Sequence, residues 1–263
     1  MMTNKKVVFL DIDGTILNEN KEIPASAKEG IKSLHENGYY VSIATGRSPD
    51  HFRDIIKELE ITSYVSFNGS YVVFNGEVIY ENPLNTKDLL NLEEAALNRE
   101  HPMVFLNENE LFANHPDHHA IHESMGSLKL KHPTFHQSFH HVNPIYQALL
   151  FVENHETQWY EQNQRQFDYV RWHEKAIDVL PPNGSKANGI KEMLKKLNIP
   201  VENTIAFGDG LNDIEMLRYV GYGVAMGNGV KKAKEVANHV TDDVSKDGLY
   251  KAFVDLNLIN ELK

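Results

Sequence analysis

Asp11 and Asp13 are two carboxylates one residue apart, directly after the short apolar run Val7-Val8-Phe9-Leu10. Two acids this close repel one another unless a cation, a shared proton or the counter-ion of an anionic substrate resolves the conflict. The apolar run suits a parallel strand buried on both faces, and such a sheet places ligands outside its carboxyl edge. A second group, Gly208-Asp209-Gly210-Leu211-Asn212-Asp213, follows another apolar run, Thr204 to Phe207, and adds two carboxylates and an amide. Asp11, Asp13, Asp209 and Asp213 together make a hard, oxygen-rich donor set of the kind that suits Mg²⁺. No loop has the spacing of an EF-hand, which argues against a calcium site.

Thr45-Gly46 offers a hydroxyl and backbone N–H groups just before a helix start at Ser48-Pro49, a ready phosphate cradle. Lys186 adds a point charge at another helix start. Taken singly, each residue has a plain structural explanation: Thr45 as a helix-entry residue, Lys186 as a solvated lysine, Asn212 as a cap. Their order along alternating strands and helices is harder to explain that way.

The elements that must position these groups follow from periodicity and punctuation. Ile16 to Pro24 reads as a hairpin-like flap, and Ser26-Ala27-Lys28-Glu29 as a capping box opening a helix that stops at Gly38. Strands are expected at Tyr39 to Ala44 and Tyr64 to Phe67, and a hairpin about Asn75-Gly76. From residue 83 to residue 182 the pattern changes to an α+β insert of about 100 residues, rich in histidine. Its expected elements are a helix at Lys87 to Arg99, strands at Met103 to Phe112 and Tyr146 to Val152, a helix at Glu156 to Phe167, and strands at Tyr169 to Leu180. The alternation then resumes with helices at Lys186 to Leu197, Asp213 to Tyr219, Lys231 to Ala237 and from Gly248, around strands at Thr204 to Phe207, Gly223 to Met226 and His239-Val240. The expected organisation is a discontinuous, doubly wound α/β domain, residues 1–82 and 183–263, split by the insert at 83–182.

Composition narrows the chemistry. The chain has 263 residues, a formal charge of −11 and no cysteine. Thiol nucleophiles, thiolate metal sites and disulfides are excluded, and the acidic balance argues against a nucleic-acid groove. The start, Met-Met-Thr-Asn-Lys-Lys, is basic, but the apolar run after it is too short for a signal peptide, and nothing reaches transmembrane length. A cytoplasmic location without membrane or nucleic-acid partners is expected; oligomeric state is not readable. His115, His118, His119 and His122 fall at helical spacing, with His132, His136, His140 and His141 behind them. Imidazoles so spaced can share zinc, but no His-Glu-x-x-His pattern accompanies them, and a solvated or partly buried face is the expected reading.

The chain resembles the haloacid dehalogenase superfamily of phosphohydrolases, and within it the Cof-like branch with a type-two α/β cap. Asp11-Ile12-Asp13-Gly14-Thr15 resembles the first motif, Thr45-Gly46-Arg47 the second, Lys186 the third, and Gly208-Asp209-Gly210-Leu211-Asn212-Asp213 the fourth. In Lys186-Ala187-Asn188-Gly189 the glycine comes later than the family often has it. The resemblance implies a Rossmann-like catalytic core with the α+β insert as cap. It implies Asp11 as nucleophile, forming an aspartyl-phosphate, and Asp13 as the acid and base. Crowding by Asp11, Asp209 and Asp213 is expected to push the Asp13 pKa up, with the metal opposing. Mg²⁺ would be held by Asp11, the Asp13 backbone carbonyl and Asp209, with Asp213 in support. Thr45, the Ile12 and Gly46 backbone, Lys186 and Asn212 would hold phosphoryl oxygens, and Thr15 would be structural. Arg47 would point toward the cap and touch substrate, or else pair with an acidic residue; Asn68 is a further substrate candidate in the core. The implied activity is Mg²⁺-dependent hydrolysis of a small phosphate ester, such as a sugar phosphate, nucleotide or phosphorylated cofactor. A phosphomutase and a receiver-like phosphorylatable switch are the alternatives.

Overall fold

The computed structural model describes residues 6–261. Residues 1–5, the basic start expected to carry no signal peptide, lie outside them. The chain divides into two compact units. One takes in the chain up to Arg47, Phe52–Tyr80 and everything from Ser185 on; the other takes in Ser48–His51 and Glu81–Gly184.

In chain order the first unit begins with β1 (Val7–Leu10), α1 (Ala25–Glu36), β2 (Tyr40–Ala44), α2 (Arg53–Glu58), β3 (Ser63–Ser66), β4 (Tyr71–Phe74) and β5 (Glu77–Glu81). The second unit supplies α3 (Thr86–Leu97), β6 (Met103–Leu106), β7 (Leu111–Ala113), α4 (His119–Ser127), α5 (Phe139–Val142), β8 (Gln147–Leu150), α6 (Asn154–Asn163), β9 (Asp168–His173) and β10 (Ala176–Leu180). The first unit is completed by α7 (Lys186–Leu197), β11 (Thr204–Gly208), α8 (Ile214–Tyr219), β12 (Tyr222–Ala225), α9 (Lys231–Val236), β13 (His239–Val240) and α10 (Gly248–Asp255).

In the first unit, eight strands run β13-β12-β11-β1-β2-β3-β4-β5. The pairs from β13 to β3 are parallel, and β4 turns back antiparallel on β3. All four residues of β1 are buried. Val8 and Leu10 pack with Ile31 and Leu34 of α1 and Phe253 of α10, while Val7 and Phe9 pack with Ile190 and Met193 of α7 and Leu217 of α8. A strand covered on both faces reads as an unbroken apolar run for this reason. The chain order also reverses at β1: β2 and β3 build to one side, β11, β12 and β13 to the other. The crevice outside such a switch point is where doubly wound sheets bind ligands, and Asp11 stands at the end of β1.

Three local expectations are corrected. Ile16 to Pro24 is a run of turns without paired strands, held by Leu17 N–H to Ile12 carbonyl and Asn18 N–H to Glu22 carbonyl hydrogen bonds. The capping box at Ser26 does not form. Pro24, at φ −55°, opens the helix instead, and the Ser26 hydroxyl donates to Asp247 Oδ1 at 2.6 Å. Ser48-Pro49 leads first into a 3₁₀ turn, Pro49–Phe52, before α2 begins. The Asn75-Gly76 turn forms as read, with φ of +51° and +81°, the left-handed pair a two-residue hairpin of this twist demands.

The second unit is a five-stranded antiparallel sheet, β7-β6-β8-β10-β9. One face packs Met103, Phe105, Ala148, Leu150, Ile177 and Val179 against Leu89, Leu92 and Ala96 of α3, Phe139 of α5 and Tyr160 of α6. His140 is buried here, its Nε2 2.6 Å from Glu93 Oε2 and its ring stacked on Phe105. The helical run expected from His115 starts later: α4 begins at His119, and His118 is its N-cap, accepting from the Ala120 N–H. Among the described residues no helix is long and apolar enough to cross a membrane.

Candidate active site

Parallel pairing of β1 with β11 sets Leu10 beside Phe207, and the ladder continues one step further as Asp11 N–H donates to the Phe207 carbonyl at 3.0 Å. The two acidic segments are therefore neighbours because their strands are. One oxygen each from Asp11, Asp209 and Asp213 lies within 4.8 Å of the others. Gly14 is what allows the first loop to sit this close. Its φ is +77°, and a Cβ there would stand 2.2 Å from Asp209 Oδ2, so both backbone and space require glycine.

Lys186, fully buried at the start of α7, donates to Asp11 Oδ1 at 2.5 Å and to Asp213 Oδ1 at 2.6 Å. Burial works against its charge, but the two carboxylates outweigh it and raise its pKa. It is an internal cation, not a solvated surface lysine. Asp213, also fully buried, accepts on its other oxygen from the Asp209 and Gly210 N–H groups at 2.9 and 2.8 Å. With both oxygens engaged, Asp213 organises the loop that carries Asp209.

The crowding of acids is visible in their proton affinities. Burial, then the nearby Asp213, pushes the Asp11 carboxyl up to about 8 against the pull of Lys186. Burial and Asp213 push Asp209 up to about 6. A carboxyl whose folded pKa exceeds its unfolded value holds a proton in the native state that the unfolded chain has released. Its contribution to stability therefore falls as pH rises from about 4 toward the folded value. We expect the metal-free Asp11→Asn variant, which cannot titrate there, to gain melting temperature relative to the parent across that window. A difference between the two that stays flat with pH would return Asp11 to an ordinary carboxylate.

Asp13 departs from expectation. Its carboxylate is 43% exposed and is not one of the three clustered acids. Arg47 grips it through Nε and a terminal nitrogen at 2.8 and 2.6 Å, and Lys21 reaches it at 2.6 Å. Burial raises its pKa, but these hydrogen bonds and charges overcome that and hold it below the usual carboxylate value. The expected upward push from neighbouring acids is thus reversed by two cations. Of the two readings of Arg47, the one seen here is pairing with an acid.

Thr45, Gly46, Asn68 and Asn212 come together beside these groups. Thr45 N–H donates to Val65, Arg47 N–H to Thr45 Oγ1 at 3.1 Å, and Asn68 N–H to the Thr45 carbonyl. Asn212 Nδ2 donates to Asn68 Oδ1 at 3.3 Å. Asn68 sits at φ +49°, a left-handed conformation that asparagine tolerates better than most residues. The Ile12 side chain is fully buried, and its carbonyl accepts from Ile16 and Leu17. Thr15 is also fully buried, its hydroxyl without a hydrogen-bond partner. Two residues escaped the sequence reading. Asn228 donates to Asp209 Oδ2 at 3.2 Å and to the Gly14 carbonyl at 2.8 Å, tying the two acidic loops together. Its signal was Gly227-Asn228-Gly229 after β12, one more turn at a parallel strand end. Lys21, in the turn segment, was the other.

Comparison with known proteins places the chain in a family. The haloacid dehalogenase-like hydrolase family profile matches residues 8–253. A Bacillus subtilis protein named "Putative phosphatase YkrA" is 44% identical over 256 residues, spanning 97% of this chain and 99% of its own. A crystal structure from Geobacillus kaustophilus HTA426 superposes with a TM-score of 0.94 at 48% identity, over 97% of this chain and all of that one. The structure of BT4131, a sugar phosphatase of haloacid dehalogenase subclass IIB, superposes at 0.82 with 28% identity, over 97% of this chain and all of its own. The chain belongs to the haloacid dehalogenase-like hydrolase family, and it is an enzyme of the family's phosphatase kind.

Proposed function

We propose that the chain hydrolyses a small phosphate monoester through an aspartyl-phosphate on Asp11, with Mg²⁺ as cofactor. The observation that carries this reading is the buried Asp11 carboxylate at the switch point of the sheet, held by Lys186 and crowded by Asp209. The donor set fits the ion: the clustered groups are all carboxylate oxygens, and burial and crowding raise the proton affinity of Asp11 and Asp209 even with Lys186 beside them, so a further cation would be favoured there. Asp11, Asp209 and the Asp13 carbonyl would hold the metal, with Asp213 fixing the loop. Bound there, Mg²⁺ offsets the repulsion between the nucleophile and the phosphate.

In the first half-reaction an Asp11 oxygen attacks phosphorus as the bond to the leaving alcohol oxygen breaks, and Asp13 gives that oxygen its proton. In the second, Asp13 takes a proton from water, whose oxygen attacks phosphorus and releases Asp11 and inorganic phosphate. The grip of Arg47 and Lys21 keeps Asp13 anionic, the form the second half needs. The first half needs a proton on Asp13, so part of that grip gives way when the ester binds. Thr45, Gly46, Asn212 and Lys186 hold the phosphoryl oxygens, since phosphoryl transfer is mostly positioning and charge stabilisation.

The substrate class is a small organic phosphate. The sugar phosphatase activity in the name of the BT4131 structure supports beginning with sugar phosphates. A panel of phosphate esters, assayed with Mg²⁺ and with a chelator, tests the proposal. Phosphate release that stops on chelation and returns with Mg²⁺ is expected; no release from any ester, or release indifferent to chelation, would sink it. We also propose that residues 83–182 choose among esters, because all four motif segments lie outside them. The same panel run with that stretch replaced by a Gly/Ser linker should show weak hydrolysis without the parent's ranking. An unchanged ranking would move specificity to Arg47 and Asn68.

A further inference from the structure

The second unit holds a different set of ligand-type side chains. Asp117, His122 and His132 each offer one oxygen or ring nitrogen, and these three atoms lie within 4.8 Å of one another. Asp117 lies in the turn before α4, His122 on its first turns, and His132 in the segment that follows it. His122 Nε2 stands 2.6 Å from Asp117 Oδ1, and the His122 and His132 rings are 4.8 Å apart. His132 is set in one tautomer by its partners. Its Nδ1 lies 2.7 Å from the Pro133 carbonyl, and its Nε2 accepts a 3.2 Å hydrogen bond from the His118 backbone N–H. The hydrogen is therefore on Nδ1, and the one Nε2 lone pair, now accepting from the His118 N–H, is the donor for which a cation would compete. An outer N–H fixed on a carbonyl with the inner nitrogen unprotonated is how metal-bound imidazoles are oriented.

We propose that Asp117, His122 and His132 bind a divalent transition metal, with Zn²⁺ as the reference ion. Two imidazoles and one carboxylate select a borderline ion over Mg²⁺ and leave a coordination position for water. The ion takes the place of the proton between His122 and Asp117 and of the long hydrogen bond to His132. More imidazole crowds the spot: His118 has His115 at 5.2 Å and His119 at 4.8 Å, centroid to centroid. The carboxylate that the histidine spacing lacked is supplied from the preceding turn. The other histidine and acid group in this unit, Glu93, His140 and His141, is of a different kind. There the His140 ring is fully buried and stacked 3.8 Å from Phe105, with its Nε2 already on Glu93, which makes it a packed hydrogen-bonded pair. A metal on the exposed group would instead clip the segment after α4 back onto the start of that helix.

The test is a titration of the whole protein with Co²⁺, followed by displacement with Zn²⁺, in excess Mg²⁺ so that the first unit's carboxylates are occupied. One equivalent of Co²⁺ is expected, with the visible absorption of a four- or five-coordinate nitrogen and oxygen site, lost as Zn²⁺ is added. Amide exchange in residues 114–133 should slow on Zn²⁺ addition. His122→Gln and His132→Gln, each checked for fold by circular dichroism, should each weaken Zn²⁺ by more than ~100-fold, since losing a ligand costs at least as much as losing a group that orients one. His155→Gln, an exposed histidine on α6 beside Glu153, should leave it unchanged. Zn²⁺ affinity that survives both substitutions, or that is lost with His140→Gln instead, would overturn the site.

Discussion

Asp11→Asn should leave a folded protein whose turnover is lower by at least ~10⁴, the scale on which removing a covalent nucleophile acts. The amide keeps the shape of the side chain but can neither attack phosphorus nor serve as a charged metal ligand. Stability in the metal-free protein should not fall, because Lys186 keeps Asp213 as a partner at 2.6 Å and the buried carboxyl that loses stability as pH rises is gone. The loss should lie in the chemical step, so the variant is to be compared with the parent by circular dichroism, by melting temperature and by rate on the best ester of the panel. A folded variant that keeps a tenth of the parent rate would end the covalent mechanism.

Lys186→Met should damage both stability and rate. The ammonium is fully buried between Asp11 and Asp213, and removing it strands two carboxylates with no cation between them. Breaking a buried pair by deleting one partner costs about 3–5 kcal/mol. Loss of a charged donor to the transferring phosphoryl group should lower the rate by a further ~10²- to 10³-fold. Urea unfolding in chelator measures the first effect and steady-state kinetics the second. Adding Asp213→Asn to Lys186→Met should recover part of the stability but none of the rate, because it removes a stranded charge without replacing the donor. A single-variant loss below ~1 kcal/mol, the range of surface pairs, would mean that Lys186 is solvated in solution.

The residues that were legible in the sequence share one property: each directly follows a buried run or opens a helix. Asp11 comes after four apolar residues, Asp209 after the β11 run, and Lys186 after the turn at Pro181-Pro182-Asn183-Gly184, so position along the chain stood in for position in space. Pairings between distant segments were not legible. Asn228 reaches back 214 positions to the Gly14 carbonyl while also donating to Asp209, and Lys21 reaches Asp13 from a turn with no apolar pattern. The fate of Asp13 follows from this. Counting only the nearby acids gives the wrong direction, because the two cations that decide its proton affinity, Arg47 after β2 and Lys21 further along its own turn segment, leave no pattern in the sequence. The Ser26 capping box failed for a related reason: Pro24 fixes the helix start by its own φ, and Asp247 takes the serine hydroxyl. The partner acids of the histidines were hidden too, since Glu93 lies on α3 and Asp117 one turn before α4.

The covalent intermediate itself is the most direct measurement. Asp13→Asn keeps the nucleophile and removes the base that the second half-reaction needs, so an activated ester should phosphorylate the protein faster than water clears it. Rapid acid quench, proteolysis and mass spectrometry should then find one phosphoryl group on the peptide that contains Asp11, and none when Asp11→Asn is added. Release of phosphate by Asp13→Asn at the parent rate, or a phosphoryl group on any residue other than Asp11, would contradict the mechanism.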